Sequence, residues 1–579
     1  AAITAYVIIF IVGLIIMFGI IASFSDEDKV TVEEQTVLKL SFNYNINDQD
    51  VEQPFNLFGN VSPDVGKSVG LNEITASIKH AKSDPKIKGI FLDLNFIGAG
   101  FAKIEEIREA ILDFKKSGKF VYAYAEYYYE STYYLASVAD KIYLNPEGEI
   151  IFNGLSANVT FFKNALDKLG VEMQVIRHGK FKGAVEPFVL DKLSNENKKQ
   201  IDEYLHSIMS NLSTAIGTGR KMEAARVNEI ASKWLVRSTD EAVKYGLVDK
   251  LAYKDEVLED IKNKLGLKGK KIKDISFITL DKYKKTVPNR MGTGKNKIAI
   301  VYASGEIVSG KGDKDQIGSD RFTDLIRKLR EDDNVKAVVL RINSPGGSAL
   351  ASDVMWRELM LIKAKKPLIV SMAEVAASGG YYIATPADTI VAHPYTLTGS
   401  IGVFGLVPNM QKLLNDKLGI NYDYVKTGEF SDFGRIDRAL TADEYNLIQS
   451  MVERIYDKFL TRVSTGRDMT KAMVDSIGQG RVWTGEQGQK LNLVDVMGGL
   501  DKAIAIAEWK AHLKEYRLVE YPVKKSQFEE LMETFKGEEQ TKAVLEAELG
   551  EFYQFHKILK QMSHTSGIQT RLPFQMVIE

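Results

Sequence analysis

The chain of 579 residues contains an internal duplication, which limits the folds it can adopt. Residues 373–394 align without a gap with residues 125–146, and nine of the twenty-two aligned positions are identical. Other segments of the two halves align at the same shift of 248 residues or one residue more. Because a repeat of this length contains a whole folding unit, the sequence predicts two homologous domains, at residues 25–290 and 291–520.

Short apolar and β-branched runs alternate with helical patterns in each repeat. In the second repeat the strand-like runs are residues 298–302, 337–342 and 368–371, and the helical patterns are residues 319–329 and 351–363. Buried strands that alternate with helices are typical of parallel sheets. The sequence therefore predicts an α/β fold with a largely parallel sheet in each domain.

Two segments lie outside this pattern. Residues 285–297 combine proline, glycine and charge, and we interpret them as the linker between the domains. Residues 521–579 form a C-terminal extension, which the sequence predicts to be partly helical near residues 541–562 and which has no counterpart in the first repeat. The sequence gives this extension no role.

The N-terminal segment Ala1–Phe24 carries no charged side chain, and its apolar run is long enough to cross a bilayer as one helix. We therefore expect a transmembrane anchor at residues 1–24. A cleaved signal peptide is the alternative, but the run exceeds the usual apolar segment of about 7–15 residues and lacks an A-x-A cleavage site. Because the sequence starts without Met, any positive flank that would fix which side of the membrane the domains face is missing from it, so the sequence gives no orientation.

Composition argues against several classes of function. The 76 Lys and Arg nearly cancel the 77 Asp and Glu, so charge gives no support for a nucleic-acid partner. The absence of cysteine excludes disulfides, thiol catalysis and cysteine metal sites. The seven histidines are scattered and show no metal-ligand spacing, so we expect no metal and no other cofactor.

Ser378 is the candidate nucleophile. It lies in the small-residue run 376–381, after a strand-like segment and before a helix-like one, so its hydroxyl should project from a tight turn at a helix start. The backbone N–H of Gly379 is free there to donate to an oxyanion. A glycine-rich packing turn would give the same local pattern.

The run Ser344-Pro345-Gly346-Gly347 follows another predicted strand. Its glycines can turn their N–H groups outward where other residues would clash, so Gly346 or Gly347 is a candidate for the second oxyanion donor. Alone, this run is only a good turn. A phosphate-binding role is weak because no Walker lysine and serine follow.

A nucleophilic serine needs a base, and the one histidine near Ser378, His393, aligns with Asn145 and is expected at a strand end. Lys182 is the alternative base. A lysine has a pKa of about 10.4 when free, so it can act as a base at neutral pH only if burial or positive neighbours lower that value. On its own, a lysine in this sequence context is usually a solvated charge.

The two repeats have lost complementary residues. The second repeat has Ser378 but carries Ser431 where Lys182 aligns, and the first repeat has Lys182 but carries Glu130 where Ser378 aligns. A complete Ser-Lys dyad therefore requires that the two domains, or domains of neighbouring subunits, bring their edges together.

The segments 344–347, 376–382, 397–405 and 181–188 together resemble the signal peptide peptidase A family, also called protease IV, in its long tandem-domain form. The resemblance covers essentially all of residues 30–510. It implies a crotonase-like fold related to Clp protease, with Ser378 as nucleophile and Lys182 as general base. It also implies that Ser400 lies within hydrogen-bonding reach of the lysine amine.

The same resemblance implies a homotetramer anchored in the bacterial cytoplasmic membrane, with its catalytic domains on the outer side. The implied substrates are cleaved signal peptides and other apolar peptides. Such peptides remain in the membrane after cleavage, which fits an anchored enzyme. The C-terminal extension does not match the family pattern.

The sequence therefore predicts a membrane-anchored serine endopeptidase that acts through an acyl-enzyme. Two alternatives remain. A crotonase-type enzyme would polarise an acyl-coenzyme A thioester with paired N–H groups and need no nucleophilic serine. A catalytically inactive membrane scaffold would have no reason to keep Ser378, Lys182 and both glycine turns.

Overall fold

The computed structural model describes residues 30–49, 68–288, 294–523, 567–571 and 577–578. The expected anchor at residues 1–24 and the expected helical stretch at residues 541–562 lie outside these ranges. Within them, no helix is both long and apolar enough to cross a membrane.

The first repeat is built from short strands and the helices that connect them. Its strands are β1 (Thr36–Leu40), β2 (Asn45–Asn47), β3 (Ser68–Gly70), β4 (Ile87–Asp93), β5 (Phe120–Tyr128), β6 (Lys141–Ile150), β7 (Ala157–Asn158), β8 (Glu172–Arg177), β9 (Lys250–Leu251) and β10 (Phe277–Thr279). Its helices are α1 (Leu71–Ser83), α2 (Phe101–Lys115), α3 (Glu130–Ala136), α4 (Lys163–Leu169), α5 (Glu186–Val189), α6 (Asn195–Arg220), α7 (Ala224–Ser232), α8 (Thr239–Lys244), α9 (Lys254–Lys264) and α10 (Leu280–Tyr283). Single 3-10 turns span Gly183–Val185, Ile272–Asp274 and Lys284–Thr286.

The main sheet of the first repeat has the strand order β10-β1-β4-β5-β6-β9, and every pair in it is parallel. Strand β4 is buried along its whole length except at Lys88. A nearly continuous apolar run of this kind is expected where helices cover both faces of a parallel sheet.

The second repeat and the C-terminal segment continue the chain. Their strands are β11 (Lys297–Ser304), β12 (Glu306–Val308), β13 (Gln316–Gly318), β14 (Val335–Ser344), β15 (Gly346–Ser348), β16 (Leu368–Ala377), β17 (Thr389–Ala392), β18 (Leu397–Gly399), β19 (Phe404–Asn409), β20 (Val482–Thr484), β21 (Val496–Met497), β22 (Arg517–Tyr521), β23 (Gly567–Arg571) and β24 (Val577–Ile578). The helices are α11 (Ser319–Glu331), α12 (Ala349–Lys363), α13 (Gly379–Ala384), α14 (Ala442–Arg467), α15 (Lys471–Ile477), α16 (Gly485–Lys490) and α17 (Leu500–Lys510), with a π turn at Leu413–Lys417.

The main sheet of the second repeat has the order β20-β18-β16-β14-β11-β22. Off this order, β17 pairs with β16, and β21 pairs with β17. Its strand pairs are parallel except for β18 with β20. The predicted α/β fold with largely parallel sheets is therefore confirmed. Strand β16 continues six residues beyond the predicted end at residue 371, so it ends immediately before Ser378.

Equivalent hydrogen bonds in the two repeats show the duplication in three dimensions. The hydroxyl of Tyr133 donates to the carbonyl of Leu247 at 2.8 Å, and that of Tyr381 donates to the carbonyl of Leu493 at 3.0 Å. Helices α6 and α14 occupy corresponding places and each has 26 residues. The two halves therefore share one local architecture as well as a sequence pattern.

A third sheet joins the repeats in the order β13-β12-β15-β23-β19-β8. Strand β8 of the first repeat pairs antiparallel with β19 of the second, from Arg177 opposite Phe404 to Glu172 opposite Asn409. Ile176 of β8 is buried in the core of the second repeat. This pairing carries the segment that follows β8, including Lys182, onto the second repeat.

A buried ionic cluster also holds the repeats together. The fully buried guanidinium of Arg341 on β14 donates to Asp48 at 2.8 Å and to Glu106 at 2.6 Å, and both carboxylates belong to the first repeat. His393 lies beside this cluster, with Nε2 3.8 Å from Glu106, and burial lowers its pKa. Because a buried charge is tolerated only when it is paired, the cluster fixes one mutual arrangement of the repeats.

Candidate functional site

Ser378 lies at a sharp turn between β16 and α13. Its backbone has φ 56° and ψ −115°, a conformation that L-residues rarely adopt and that is held here by neighbouring hydrogen bonds. The N–H of Ser378 donates to the carbonyl of Gly399, and its carbonyl accepts from the N–H of Tyr382, each at 2.8 Å. The turn therefore fixes the direction in which the hydroxyl projects.

The glycines after Ser378 allow the turn to pack closely. A Cβ atom at Gly380 would lie 2.7 Å from the carbonyl oxygen of Ser344, at the end of the neighbouring strand β14. Only glycine permits this contact without a shift of the backbone. The close approach keeps the serine turn against the glycine turn that follows β14.

The structure brings Lys182 to Ser378 within one chain. The Nζ atom of Lys182 lies 2.9 Å from Oγ of Ser378, 3.0 Å from Oγ of Ser400 and 3.2 Å from the carbonyl oxygen of Ser400. All three side chains have 0% exposed surface. The two repeats thus contribute one residue pair that neither contains alone.

The contacts of Lys182 suit a neutral amine. These hydrogen-bonding partners are uncharged, and burial holds the pKa of Lys182 well below its ordinary value of 10.5. A neutral amine has two N–H groups, which match the two oxygens of Ser400, and its lone pair then faces the hydroxyl of Ser378. The hydroxyl of Ser400 donates onward to the carbonyl of Gly480 at 3.2 Å.

Glycine residues of the second repeat pack against the stem of Lys182. A Cβ atom at Gly480, where φ is +84°, would lie 2.6 Å from Cβ of Lys182. A Cβ atom at Gly402 would lie 3.3 Å from its Cδ. The lysine stem therefore fits a channel that two glycines keep open.

Gln200 on α6 connects the lysine segment to the second repeat. Its amide nitrogen donates to the carbonyl of Phe181 at 3.0 Å, and its amide oxygen accepts from the N–H of Val482 at 3.0 Å. Gln200 is buried, and its amide also contacts Asn197. One side chain thus holds the residue before Lys182 against the turn that contains Gly480.

A buried carboxylate supports the other side of the lysine segment. Glu186 accepts from the amide of Asn197 at 2.6 Å and from the N–H of Ser194 at 3.1 Å. Arg177 lies 3.7 Å from Glu186 and donates to the carbonyl of Lys182 at 3.3 Å. These contacts fix the backbone on both sides of the lysine.

The sequence reasoning missed Gln200, Asn197 and Gly480. Asn197 and Gln200 lie one turn apart on the buried face of α6, which also carries Ile201 and Tyr204. Polar residues on the core face of an amphipathic helix were the signal that could have identified the pair. Gly480 has no comparable signal, because its role depends on a contact with the other repeat.

The three predicted oxyanion donors have different environments. Gly379 is the first residue of α13, directly after Ser378. The N–H of Gly346 donates to Oγ of Ser344 at 3.2 Å, so in this conformation it is engaged. Gly347 lies in β15, paired with Ile307 of β12.

The residues that align with the dyad in the opposite repeats have other surroundings. Ser431 is exposed. Glu130 is buried, accepts from the N–H of Asn153 at 2.9 Å, and has a pKa raised by burial. Within the described ranges, no group of three or more histidine, aspartate or glutamate side chains is arranged to hold a metal ion.

Comparison with known proteins identifies the family of the chain. The sequence profile of Peptidase family S49 matches the chain twice, at residues 113–268 and 361–514, and the two matches start at the shift of 248 residues that aligns the repeats. "Protease 4" of Haemophilus influenzae is 37% identical over 455 residues, which cover 77% of this chain and 73% of that protein. "Serine protease SPPA, chloroplastic" of Arabidopsis thaliana is 35% identical over 500 residues, covering 84% of this chain and 72% of that protein.

Proposed function

We propose that Ser378 is the nucleophile and Lys182 the general base of this chain, which belongs to peptidase family S49 and is a serine peptidase. The separation of 2.9 Å between Nζ of Lys182 and Oγ of Ser378 is the observation that carries this proposal. A base must lie within hydrogen-bonding reach of the proton it removes, and this pair meets that requirement.

In the proposed mechanism, neutral Lys182 takes the proton of the Ser378 hydroxyl while Oγ attacks the carbonyl carbon of the peptide. The N–H of Gly379 and that of Gly346 or Gly347 stabilise the oxyanion, and Gly346 does so only after releasing Ser344. The lysine ammonium then gives its proton to the leaving amine, which leaves Ser378 as an ester.

Hydrolysis of the ester repeats these steps with water. Lys182 removes a proton from the water as it attacks the ester carbonyl, and the ammonium then returns that proton to Oγ of Ser378. Ser400 holds the amine in place throughout, through the two contacts at 3.0 and 3.2 Å.

We assign cleaved signal peptides and other apolar peptides as the substrates, with the enzyme anchored in the bacterial cytoplasmic membrane and its domains on the outer side. The uncharged segment Ala1–Phe24 supports the anchor. The resemblance to signal peptide peptidase A supports the substrate class and the side of the membrane. The parallel strands and helices of each repeat are compatible with the crotonase-like fold that the resemblance implies.

Exposed apolar residues support assembly with further copies of this chain, for which we propose a homotetramer. In the first repeat, residues 176–182 pack onto the second repeat. The residues that align with them in the second repeat, 425–431, have no such cover: Val425 is fully exposed and Phe430 is 44% exposed. A second copy of the chain can cover this face. Val425→Asp is expected to shift the assembly to smaller species in analytical ultracentrifugation, and an unchanged mass would argue against this face as the contact.

The experiment that tests the proposed dyad is labelling with a fluorophosphonate, followed by mass spectrometry of the peptides. Wild-type protein is expected to carry the adduct on Ser378, and Lys182→Ala is expected to lose it while keeping a cooperative thermal unfolding transition. Labelling of folded Lys182→Ala at the wild-type rate would contradict the proposal that Lys182 activates Ser378. Folded wild-type protein without any adduct would favour the thioester enzyme or the scaffold.

A further inference from the structure

The turn at residues 478–481 lies against Lys182 and has a backbone that needs support from outside. Two consecutive residues in it have left-handed backbones, Gln479 with φ 55° and Gly480 with φ 84°. The left-handed region is unfavourable for a residue that carries a Cβ atom, such as glutamine. Contacts with other parts of the chain must therefore hold Gln479 in this conformation.

The carbonyl groups of this turn contact both the lysine segment and Ser400. The carbonyl of Gln479 accepts from the N–H of Phe181 at 3.1 Å. The carbonyl of Gly480 accepts from the hydroxyl of Ser400 at 3.2 Å. The turn therefore fixes the residue before Lys182 and the hydroxyl of Ser400 relative to each other.

The acceptor at Gly480 decides where the hydroxyl proton of Ser400 points. While this hydroxyl donates to Gly480, its oxygen accepts an N–H of Lys182, and the lone pair of the amine is left for Ser378. Without that acceptor, the hydroxyl of Ser400 would be free to donate to the amine instead. The lone pair would then be occupied and could not take the proton of Ser378.

Tyr456 on α14 holds this turn through its hydroxyl. The hydroxyl accepts from the N–H of Gln479 at 3.1 Å and donates to the carboxylate of Asp475 at 2.6 Å. A hydroxyl that donates to a charged group becomes a stronger acceptor, so Asp475 strengthens the bond from Gln479. Tyr456 is 3% exposed, and burial raises its pKa above the ordinary value, so the hydroxyl keeps its proton.

The ring of Tyr456 makes a separate contact with the lysine segment. The imidazole of His178, directly after β8, stacks on this ring with the centroids 3.8 Å apart. The Nδ1 atom of His178 lies 2.6 Å from a carboxylate oxygen of Glu453, about one turn before Tyr456 on α14. Because phenylalanine keeps the ring, Tyr456→Phe removes the contact with the turn and leaves the stacking in place.

We propose that Tyr456 is a positioning residue for the Ser-Lys dyad, whose hydroxyl holds the turn at residues 478–481 so that Gly480 keeps the hydroxyl proton of Ser400 directed away from the amine of Lys182. This inference rests on the proposed function, because it takes Lys182 as the base. Tyr456 acts through the turn and not on the reacting atoms. Its loss should therefore change the base rather than the binding of the substrate.

Tyr456→Phe in the full-length chain tests the role of the hydroxyl. We expect kcat and the rate of fluorophosphonate labelling of Ser378 to fall about tenfold, with KM changed less than about twofold. We also expect the acid limb of kcat/KM to move to higher pH, because a loosened turn admits water and reduces the burial that lowers the pKa of Lys182. Wild-type kcat and an unmoved limb in folded Tyr456→Phe would overturn the proposal.

Tyr283→Phe is the matched control. Tyr283 of the first repeat is fully buried, and its hydroxyl donates to Asp84 at 3.0 Å, so this variant also loses a bond from a buried tyrosine to an aspartate. It should lower the midpoint of unfolding as Tyr456→Phe does, and leave kcat and the acid limb at their wild-type values. An equal fall of kcat in both variants would show general destabilisation and overturn the positioning role.

Asp475 provides a second test that keeps Tyr456 in place and does not depend on the folding of Tyr456→Phe. Asp475→Ala removes the acceptor of the tyrosine hydroxyl, whereas Asp475→Asn keeps an acceptor there. We expect the alanine variant to show the fall of kcat and the shift of the acid limb, and the asparagine variant to recover most of both. Wild-type kcat in Asp475→Ala would contradict the proposal.

Labelling separates this inference from the proposed function. If folded wild-type protein forms no adduct on Ser378, the nucleophile assignment itself fails. If wild type is labelled, Lys182→Ala is not, and Tyr456→Phe is labelled at the wild-type rate, the dyad stands and the positioning role of Tyr456 fails.

Discussion

The amine of Lys182 lies 2.9 Å from the hydroxyl oxygen of Ser378, although 196 residues separate them in the chain. Both groups are fully buried, and the other hydrogen-bonding partners of the amine are the two oxygens of Ser400. Burial alone lowers the pKa of this lysine. It follows that removing this amine, or protonating it, should control the reactivity of Ser378.

Replacing Lys182 with methionine should abolish most peptidase activity with little change in fold. Methionine fills the stem of the channel but cannot take the proton of Ser378, so we expect kcat to fall about 10³-fold or more. Lys180→Met is the matched control, because Lys180 is exposed and its ammonium lies 5.7 Å from the ring of Phe181. A loss of similar size in the control would show that neighbouring charge, rather than the base, matters.

The pH dependence of kcat/KM should report the lowered pKa of Lys182. The base acts only when neutral, so kcat/KM should be maximal above that pKa and fall about tenfold per pH unit below it. Because burial lowers the pKa, activity should already be high well below pH 10.5. The residual activity of Lys182→Met provides the control and should lack this limb. A wild-type limb near the ordinary lysine pKa would contradict a neutral buried amine.

The same pKa shift predicts a pH-dependent difference in stability between wild type and Lys182→Met. The folded lysine has a lower pKa than the unfolded one, so between the two values the unfolded state binds more protons. Wild-type stability should therefore fall, relative to the variant, as pH decreases from about 10.5 to the folded pKa, by at most about 1.4 kcal/mol per pH unit.

Denaturant unfolding of both proteins across this pH range measures the difference. The slope against pH is the diagnostic quantity, because loss of the contacts with Ser378 and Ser400 also changes stability by an amount that does not depend on the titration. A difference that is constant from pH 6 to pH 10 would contradict the predicted shift.

Gly480→Ala should displace the lysine. The new Cβ would lie 2.6 Å from Cβ of Lys182, so the lysine must move, and if Lys182 is the base a shift of about 1 Å can lower kcat about 10²-fold. Gly434→Ala is the matched control, since Gly434 has nearly the same φ of +85° and nothing within 4 Å of the new Cβ. The two variants share the conformational strain, so a selective loss of kcat in Gly480→Ala isolates the contact. Equal kcat values would argue against it.

Gln200→Leu should weaken the connection between the repeats at the lysine. It leaves the carbonyl of Phe181 and the N–H of Val482 without their amide partner, at about 1–3 kcal/mol for each buried group. We expect a lower midpoint of unfolding and a fall in kcat with little change in KM, because the lysine rather than the substrate is displaced.

Gln449→Leu on α14 serves as the control for this change, since the amide of Gln449 donates to Glu453 at the surface. It should leave both kcat and stability near wild type. If Gln200→Leu changes stability but leaves kcat and the acid limb of the pH profile intact, Gln200 is structural only and does not position Lys182.

The sequence alone established the features that depend on neighbouring residues. The alternation of apolar strands with helices predicts the parallel α/β fold, and the alignment of one half of the chain with the other reveals the duplication. The structure confirms both. Ser378 was identifiable because its turn is encoded by adjacent small residues. Lys182 was identifiable only by comparing the repeats, since its own segment resembles an ordinary charged turn.

Only the tertiary structure decided how these parts meet. The approach of Lys182 to Ser378 within one chain depends on the pairing of β8 with β19 and on the buried contacts of Gln200, which cross between the repeats. The engaged N–H of Gly346 and the insertion of β23 beside β15 likewise depend on packing. Local sequence specifies which backbone conformations are favoured, but contacts between residues hundreds of positions apart form only where two complete folding units bury surface against each other.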